Sequence, residues 1–81
     1  MARVTLIGNL SQFAGGEREF EIDARSVAQL FRRLAERHPG LARHLEQGLA
    51  VAIDGQIYQD ALLVPIGPDS EVHILPQIAG G

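Results

Sequence analysis

The sequence has no cysteine, no lysine and no tryptophan. Without cysteine it forms no disulfide, offers no thiolate to a metal ion and has no sulfur nucleophile of its own. Without lysine it has no side-chain amine, so copies of the chain cannot be joined to one another through lysine as ubiquitin chains are. No apolar run approaches the ~18 residues that span a bilayer. The opening "MARVTLIGNL" does not have the make-up of a signal peptide. These absences predict a soluble, cytoplasmic protein with no membrane partner. Basic charge is missing too, but only from one half. All seven basic residues are arginines, and the last is Arg43; from His44 onward Glu46, Asp54, Asp60, Asp69 and Glu71 meet no base. The second part thus carries −5 and the first +2 of the overall −3. This polarity argues against nucleic acid as the partner of the acidic half and for a basic protein surface.

What is present is enough for one small domain: 81 residues, 46% of them apolar. "RVTLIG" (Arg3–Gly8) is apolar and β-branched, and predicts a first strand. "AGG" (Ala14–Gly16) marks a turn, after which "EREFEID" (Glu17–Asp23) alternates with period two as a hairpin partner. The period then changes. Val27, Leu30, Phe31, Leu34 and Ala35 form the stripe of an amphipathic helix, with Arg32, Arg33, Glu36 and Arg37 on its outer face. Ser26 and Gln29 have capping-box spacing at its start, and Pro39-Gly40 stops it. "LARHLEQG" predicts a further helical turn or two ending at Gly48. Asp54-Gly55 lies between two apolar runs, a strong hairpin signal. A loop with Pro65, Gly67 and Pro68 leads to the last strand, "SEVHILP" (Ser70–Pro76).

The order strand, strand, helix, hairpin, strand has one economical packing. A mixed sheet of four to five strands wraps around one main helix, with two neighbouring strands parallel because the helix crosses between the halves. This is an α+β, β-grasp or ubiquitin-like architecture, with residues 1–76 as the domain and 77–81 as a flexible tail. The core is expected to depend on Leu30, Phe31, Leu34, Val51, Ile53 and Val72. Strand alternation then places Ile7, His73 and Leu75 on the open face of the sheet, as a docking patch. His38 and His44 lack metal-ligand spacing and read as solvated loop residues, and Asp54 as a turn residue. No metal site is expected. No hydroxyl–histidine–carboxylate set is present, and "GNLSQFAGG" lacks the spacing and lysine of a phosphate loop. The chain alone is therefore not expected to be an enzyme.

"AVAIDGQ" followed by "GPDSEVHILPQIAGG" resembles the sulfur-carrier proteins of the MoaD/ThiS type. Members show an apolar strand, Asn-Gly or Asp-Gly, a Gly-Asp-Glu-Val turn and strand, prolines, and a terminal Gly-Gly. The resemblance spans the chain and is strongest from Val51 to Gly81. This sequence has Pro76-Gln77 where a molybdopterin-type member has Pro-Pro, and Ile74-Leu75 where an aromatic pair is common. The resemblance implies that Gly81 is adenylated and then converted to a thiocarboxylate, with Gly80 letting the backbone enter a narrow site. It implies that Pro76, Gln77, Ile78 and Ala79 join Ile7, His73 and Leu75 in binding partners. Those partners would be an E1-like adenylating enzyme of the MoeB/ThiF type, which uses ATP and Mg, and a sulfur-accepting synthase subunit. The chain itself would bind no cofactor, and the sulfur would serve cofactor synthesis of the molybdopterin or thiamine type. Two other readings share the fold: a ubiquitin-like modifier conjugated through Gly81, and a non-covalent β-grasp interaction module.

Overall fold

In a computed structural model, residues 1–46, 50–59 and 62–76 are described. Five strands form one sheet: β1 (Ala2–Leu6), β2 (Glu19–Ile22), β3 (Ala50–Ile53), β4 (Gln56–Gln59) and β5 (Glu71–Leu75). Two α-helices, α1 (Val27–Arg37) and α2 (Pro39–Glu46), and a 3-10 helix (Gly8–Ala14) complete the described elements. The strand order is β2-β1-β5-β3-β4. The first and last strands are parallel neighbours at its centre, and the other pairs are antiparallel. This is the expected β-grasp.

The helix forms where the apolar period is 3.6 and where its free N–H groups find acceptors. Ser26 caps α1, its hydroxyl accepting from the Gln29 N–H at 3.2 Å. The Gln29 side chain reaches back one residue beyond the cap, accepting from the Arg25 N–H at 2.7 Å. The loop before β5 supplies the remaining acceptors: Val27 N–H donates to the Val64 carbonyl and Ala28 N–H to that of Leu62. The first turn is thus satisfied by its own cap and by chain more than 30 residues away. Val27, Leu30, Phe31 and Leu34 are buried against Val4, Leu6, Phe20, Ile22, Val51, Ile53, Val72 and Ile74 of the sheet. All six residues expected in the core are there, and the arginines of the outer face are exposed.

The β3–β4 hairpin has the two-residue loop that Asp54-Gly55 predicts. Both residues have positive φ, 48° and 90°, as a turn matched to strand twist requires. Asp54 has a second task. Its carboxylate accepts from the Glu71 N–H at 3.0 Å and its own N–H donates to the Glu71 carbonyl, pinning the turn to the start of β5.

Residues 8–14 form a 3-10 helix where no element was expected. Leu10, Phe13 and Ala14 do have helical spacing, and Leu10 and Ala14 are buried, but a seven-residue segment carries too little period to stand out. The second helix begins at Pro39 itself, a first-turn position that suits proline. The expected end at Gly48 lies outside the described residues. His38 and His44 are not solvated loop residues. Because α2 folds back beside the 3-10 helix, His44 packs on Phe13 with ring centroids 4.0 Å apart, while His38, the residue between α1 and α2, packs on Phe20 of β2 at 5.2 Å.

Replacing Leu34 by Ala should cost about 2–5 kcal/mol in chemical denaturation, because its side chain is enclosed between helix and sheet. A loss below about 1 kcal/mol would mean that the helix stripe is not the core.

Candidate functional site

The face of the sheet turned away from α1 is set by alternation along each strand. Val4, Leu6, Val72 and Ile74 are buried beneath the helix, so Arg3, Thr5, Glu71, His73 and Leu75 point the other way. The registers line these residues into rows across the sheet. Glu21, Arg3 and Glu71 form one row. Glu19, Thr5, His73, Ala52 and Ile57 form the next, crossing all five strands. Leu75, Ala50 and Gln59 form the third, and Ile7 continues β1 beside Leu75.

These rows give the face a direction. Along the parallel pair β1–β5 it passes from Arg3 and Glu71, through Thr5 and His73, to Ile7 and Leu75. The apolar end is the end where the chain leaves β5. Ile7, His73 and Leu75 are brought together as expected, although all three are half-buried by their neighbours and not fully exposed. The acids Glu19, Glu21, Asp54, Asp69 and Glu71 are exposed around this face and its charged end, so a basic partner surface would meet complementary charge.

Pro76, also half-buried, is the last described residue. Its ring lies against the backbone of Gly8, where a Cβ would stand 3.1 Å from Pro76 Cγ and 3.5 Å from Cδ. The Ile7 N–H donates to the Ile74 carbonyl at 2.9 Å, extending the β1–β5 pairing one step past Leu6. The root of the C-terminal segment is therefore held by residues 7 and 8. Gln77, Ile78, Ala79, Gly80 and Gly81, the remaining expected site residues, lie outside the described residues.

The most exposed large apolar side chains among the described residues are Leu63 at 91% and Met1 at 70%, away from these rows, and Ile57 at 66%, at the β4 end of the row that crosses the open face. Ile57 was legible in principle. The two-residue loop pairs Ile53 with Gln56, which puts Ile57 opposite Ala52 on the outer face once Val51 and Ile53 are assigned to the core. Leu62 and Leu63 carried no such signal, since they sit in a turn without periodicity. Among the described residues, no cluster of three His, Cys, Asp or Glu could hold a metal ion, and no helix is long and apolar enough to cross a membrane.

A model of the ThiS family matches residues 4–81. No curated protein matches the chain in sequence. Among solved structures, the chain is similar to small archaeal modifier protein 1 from Methanosarcina acetivorans, with a TM-score of 0.78 and 22% identity, covering 99% of this chain and 95% of that one. It is similar to a chain of the Amycolatopsis orientalis BexX/CysO complex, with a TM-score of 0.78 and 23% identity over the whole of both chains. It is also similar to a chain of the complex of subunits 1 and 2 of the Helicobacter pylori molybdopterin-converting factor. There the TM-score is 0.68 and the identity 25%, over 99% of this chain and 97% of that one.

The two faces should respond differently to a buried charge. Leu75→Glu should leave the domain folded, with a loss of about 1 kcal/mol or less, whereas Ile74→Glu should unfold it by burying a carboxylate without a partner. Circular dichroism during thermal unfolding of both variants would check this, and equal damage would remove Leu75 from the outer face.

Proposed function

The chain belongs to the ThiS family, of the ubiquitin-like MoaD/ThiS type of sulfur carrier, and on that premise we propose that its Gly81 carboxylate is adenylated and then thiocarboxylated. The observation that carries this reading is the direction of the open face: its apolar end lies where the chain leaves the sheet towards Gly80 and Gly81. A partner that covers Ile7 and Leu75 would receive the following segment directly. Gln77 to Gly81 is five residues, enough to reach roughly 17 Å into a neighbouring site.

The chemistry divides between the partners. In the activating enzyme the Gly81 carboxylate attacks the α-phosphorus of ATP, pyrophosphate leaves, and the acyl adenylate carries AMP as a leaving group. A persulfide sulfur then attacks the acyl carbon and AMP departs. A thiol cleaves the resulting acyl disulfide, forming a new disulfide and releasing the Gly81 thiocarboxylate. This chain has no cysteine, so every thiol in these steps belongs to a partner or to the sulfur donor. Its own contribution is delivery. The absence of Cβ at residues 80 and 81 lets enclosing backbone approach the reacting carbon, as near-attack geometry requires. A sulfur-accepting synthase subunit is the second partner, and binding of the chain to another protein is supported by the two similar chains found in complexes.

Likeness to a small archaeal modifier favours a second use of the same activated end, conjugation through Gly81 to amines of other proteins. The two products separate by chemistry: a thiocarboxylate reacts with thiol-directed reagents, and an isopeptide bond survives them.

With a MoeB/ThiF-type enzyme, ATP, magnesium and a sulfur donor, the chain should exchange one carboxylate oxygen for sulfur, located at Gly81 by fragment mass spectrometry. Deleting Gly81 should abolish the exchange without altering the fold; a deletion variant that still gains sulfur would defeat the proposal. Leu75→Glu should weaken binding to the activating enzyme by about tenfold or more, the cost of losing an apolar anchor. Unchanged affinity, measured by calorimetry, would take the open face out of docking.

A further inference from the structure

We propose that Gly8 is a positioning residue for the C-terminal segment, a seat against which the Pro76 ring sets the direction in which the chain leaves β5. The inference rests on the reading of Gly81 as the reacting group, and adds a residue far from it in sequence.

Three observations meet at this point. The Ile7 N–H bond to the Ile74 carbonyl closes the β1–β5 pairing, so Gly8 and Pro76 are the first residues beyond the pairing on each strand. Gly8 then turns with φ +70°, which carries its chain off the sheet into the 3-10 helix and leaves room beside its Cα. The Pro76 ring fills that room, with Cγ 3.1 Å and Cδ 3.5 Å from where a Cβ would stand.

A proline ring is a poor spacer to push aside. It is bonded to its own backbone nitrogen, so its only internal escape is a small change of ring pucker, and its φ is confined near −65°. A side chain at residue 8 would therefore displace the main chain at residue 76. A few tenths of an ångström over one Cα–Cα step of about 3.8 Å turns the exit direction by about 5°. Once a partner holds the segment extended over about 17 Å, that turn moves its end by about 1 Å. Acyl transfer needs reacting atoms placed within about 3–3.5 Å, and a misplacement of about 1 Å can cost a hundredfold in rate. Most of the docking face would be kept, because strand pairing holds Thr5, His73 and Leu75 in their rows and the variant loosens only the last step of the pairing at Ile7. The loss should appear in turnover far more than in binding.

Backbone strain must be separated from this effect, since φ +70° is unfavourable for any residue with a Cβ. Gly15 is the internal control. Its φ is +65°, and nothing lies within 4 Å of where its Cβ would stand. Gly15→Ala thus puts a Cβ at a similar positive φ without the contact. Pro76→Ala removes the two atoms that the Cβ would meet, and should rescue the Gly8 variant.

The experiment measures thiocarboxylate formation with a MoeB/ThiF-type enzyme, ATP, magnesium and a sulfur donor, as kcat and KM for the carrier. Gly8→Ala should lower kcat by about tenfold or more with KM within about twofold, Gly15→Ala should match the wild type, and Gly8→Ala/Pro76→Ala should return to the rate of Pro76→Ala alone. Equal losses in the two glycine variants, no rescue in the double variant, or a wild-type rate for Gly8→Ala would each overturn the proposal. Amide hydrogen exchange at Ile7 gives a readout independent of the partner. Exchange should quicken in Gly8→Ala, stay slow in Gly15→Ala and slow again in the double variant. A wild-type chain that never gains sulfur would defeat the Gly81 reading, and Ile7 exchange alone would then decide whether Gly8 seats Pro76; unchanged exchange in Gly8→Ala would mean that it does not.

Discussion

The parallel pairing of the first strand with the last holds the molecule together. Parallel neighbours cannot be joined by a tight turn, so the chain between β1 and β5 has to cross over the sheet, and α1 lies in that crossover. The pairing puts Val4 opposite Val72 and Leu6 opposite Ile74, four enclosed side chains at the centre of the surface that α1 covers. The two hairpins are then appended at either side, β2 to β1 and the β3–β4 pair to β5. Everything apolar on the helix has a place only because these two strands meet.

The same pairing makes the other face useful. Side chains opposite on one face are opposite on both, so burying Val4, Leu6, Val72 and Ile74 also ranks Arg3 with Glu71, Thr5 with His73 and Ile7 beside Leu75. A charged beginning and an apolar end follow from the order of residues along two short strands. Because the strands are parallel, the two gradients add and do not cancel. The chain leaves from the apolar end, beside a glycine that accepts a proline ring. In the proposed carrier role, docking surface and delivered segment are continuous, and the protein needs no reactive side chain.

Much of this was legible in the residues. The stripe Val27, Leu30, Phe31 and Leu34 could serve only a helix, and the alternation in "EREFEID" only a strand. Asp54-Gly55 set both turn and register, and through them the side of the sheet on which Ile57 falls. The likeness to MoaD/ThiS-type carriers was carried by motifs in the last third of the chain. The 3-10 helix was hidden because seven residues show barely two turns of period. The roles of His38 and His44 were hidden because the residues, which do show helical turns from Leu41, give no sign of the fold-back that brings His44 onto Phe13 and His38 onto Phe20.

By itself, then, the sequence determined the element types, their order, the helix phase and the choice of buried face, because each depends on periods of two or 3.6 residues read within one segment. It also determined what the chain cannot do, since no fold supplies a missing thiol or amine. The tertiary structure alone decided which distant segments touch: the carbonyls of Leu62 and Val64 at the start of α1, the Asp54 carboxylate at the start of β5, and Gly8 under Pro76. Such contacts depend on distances of about 3 Å between residues tens of positions apart, and local periodicity holds no information about them.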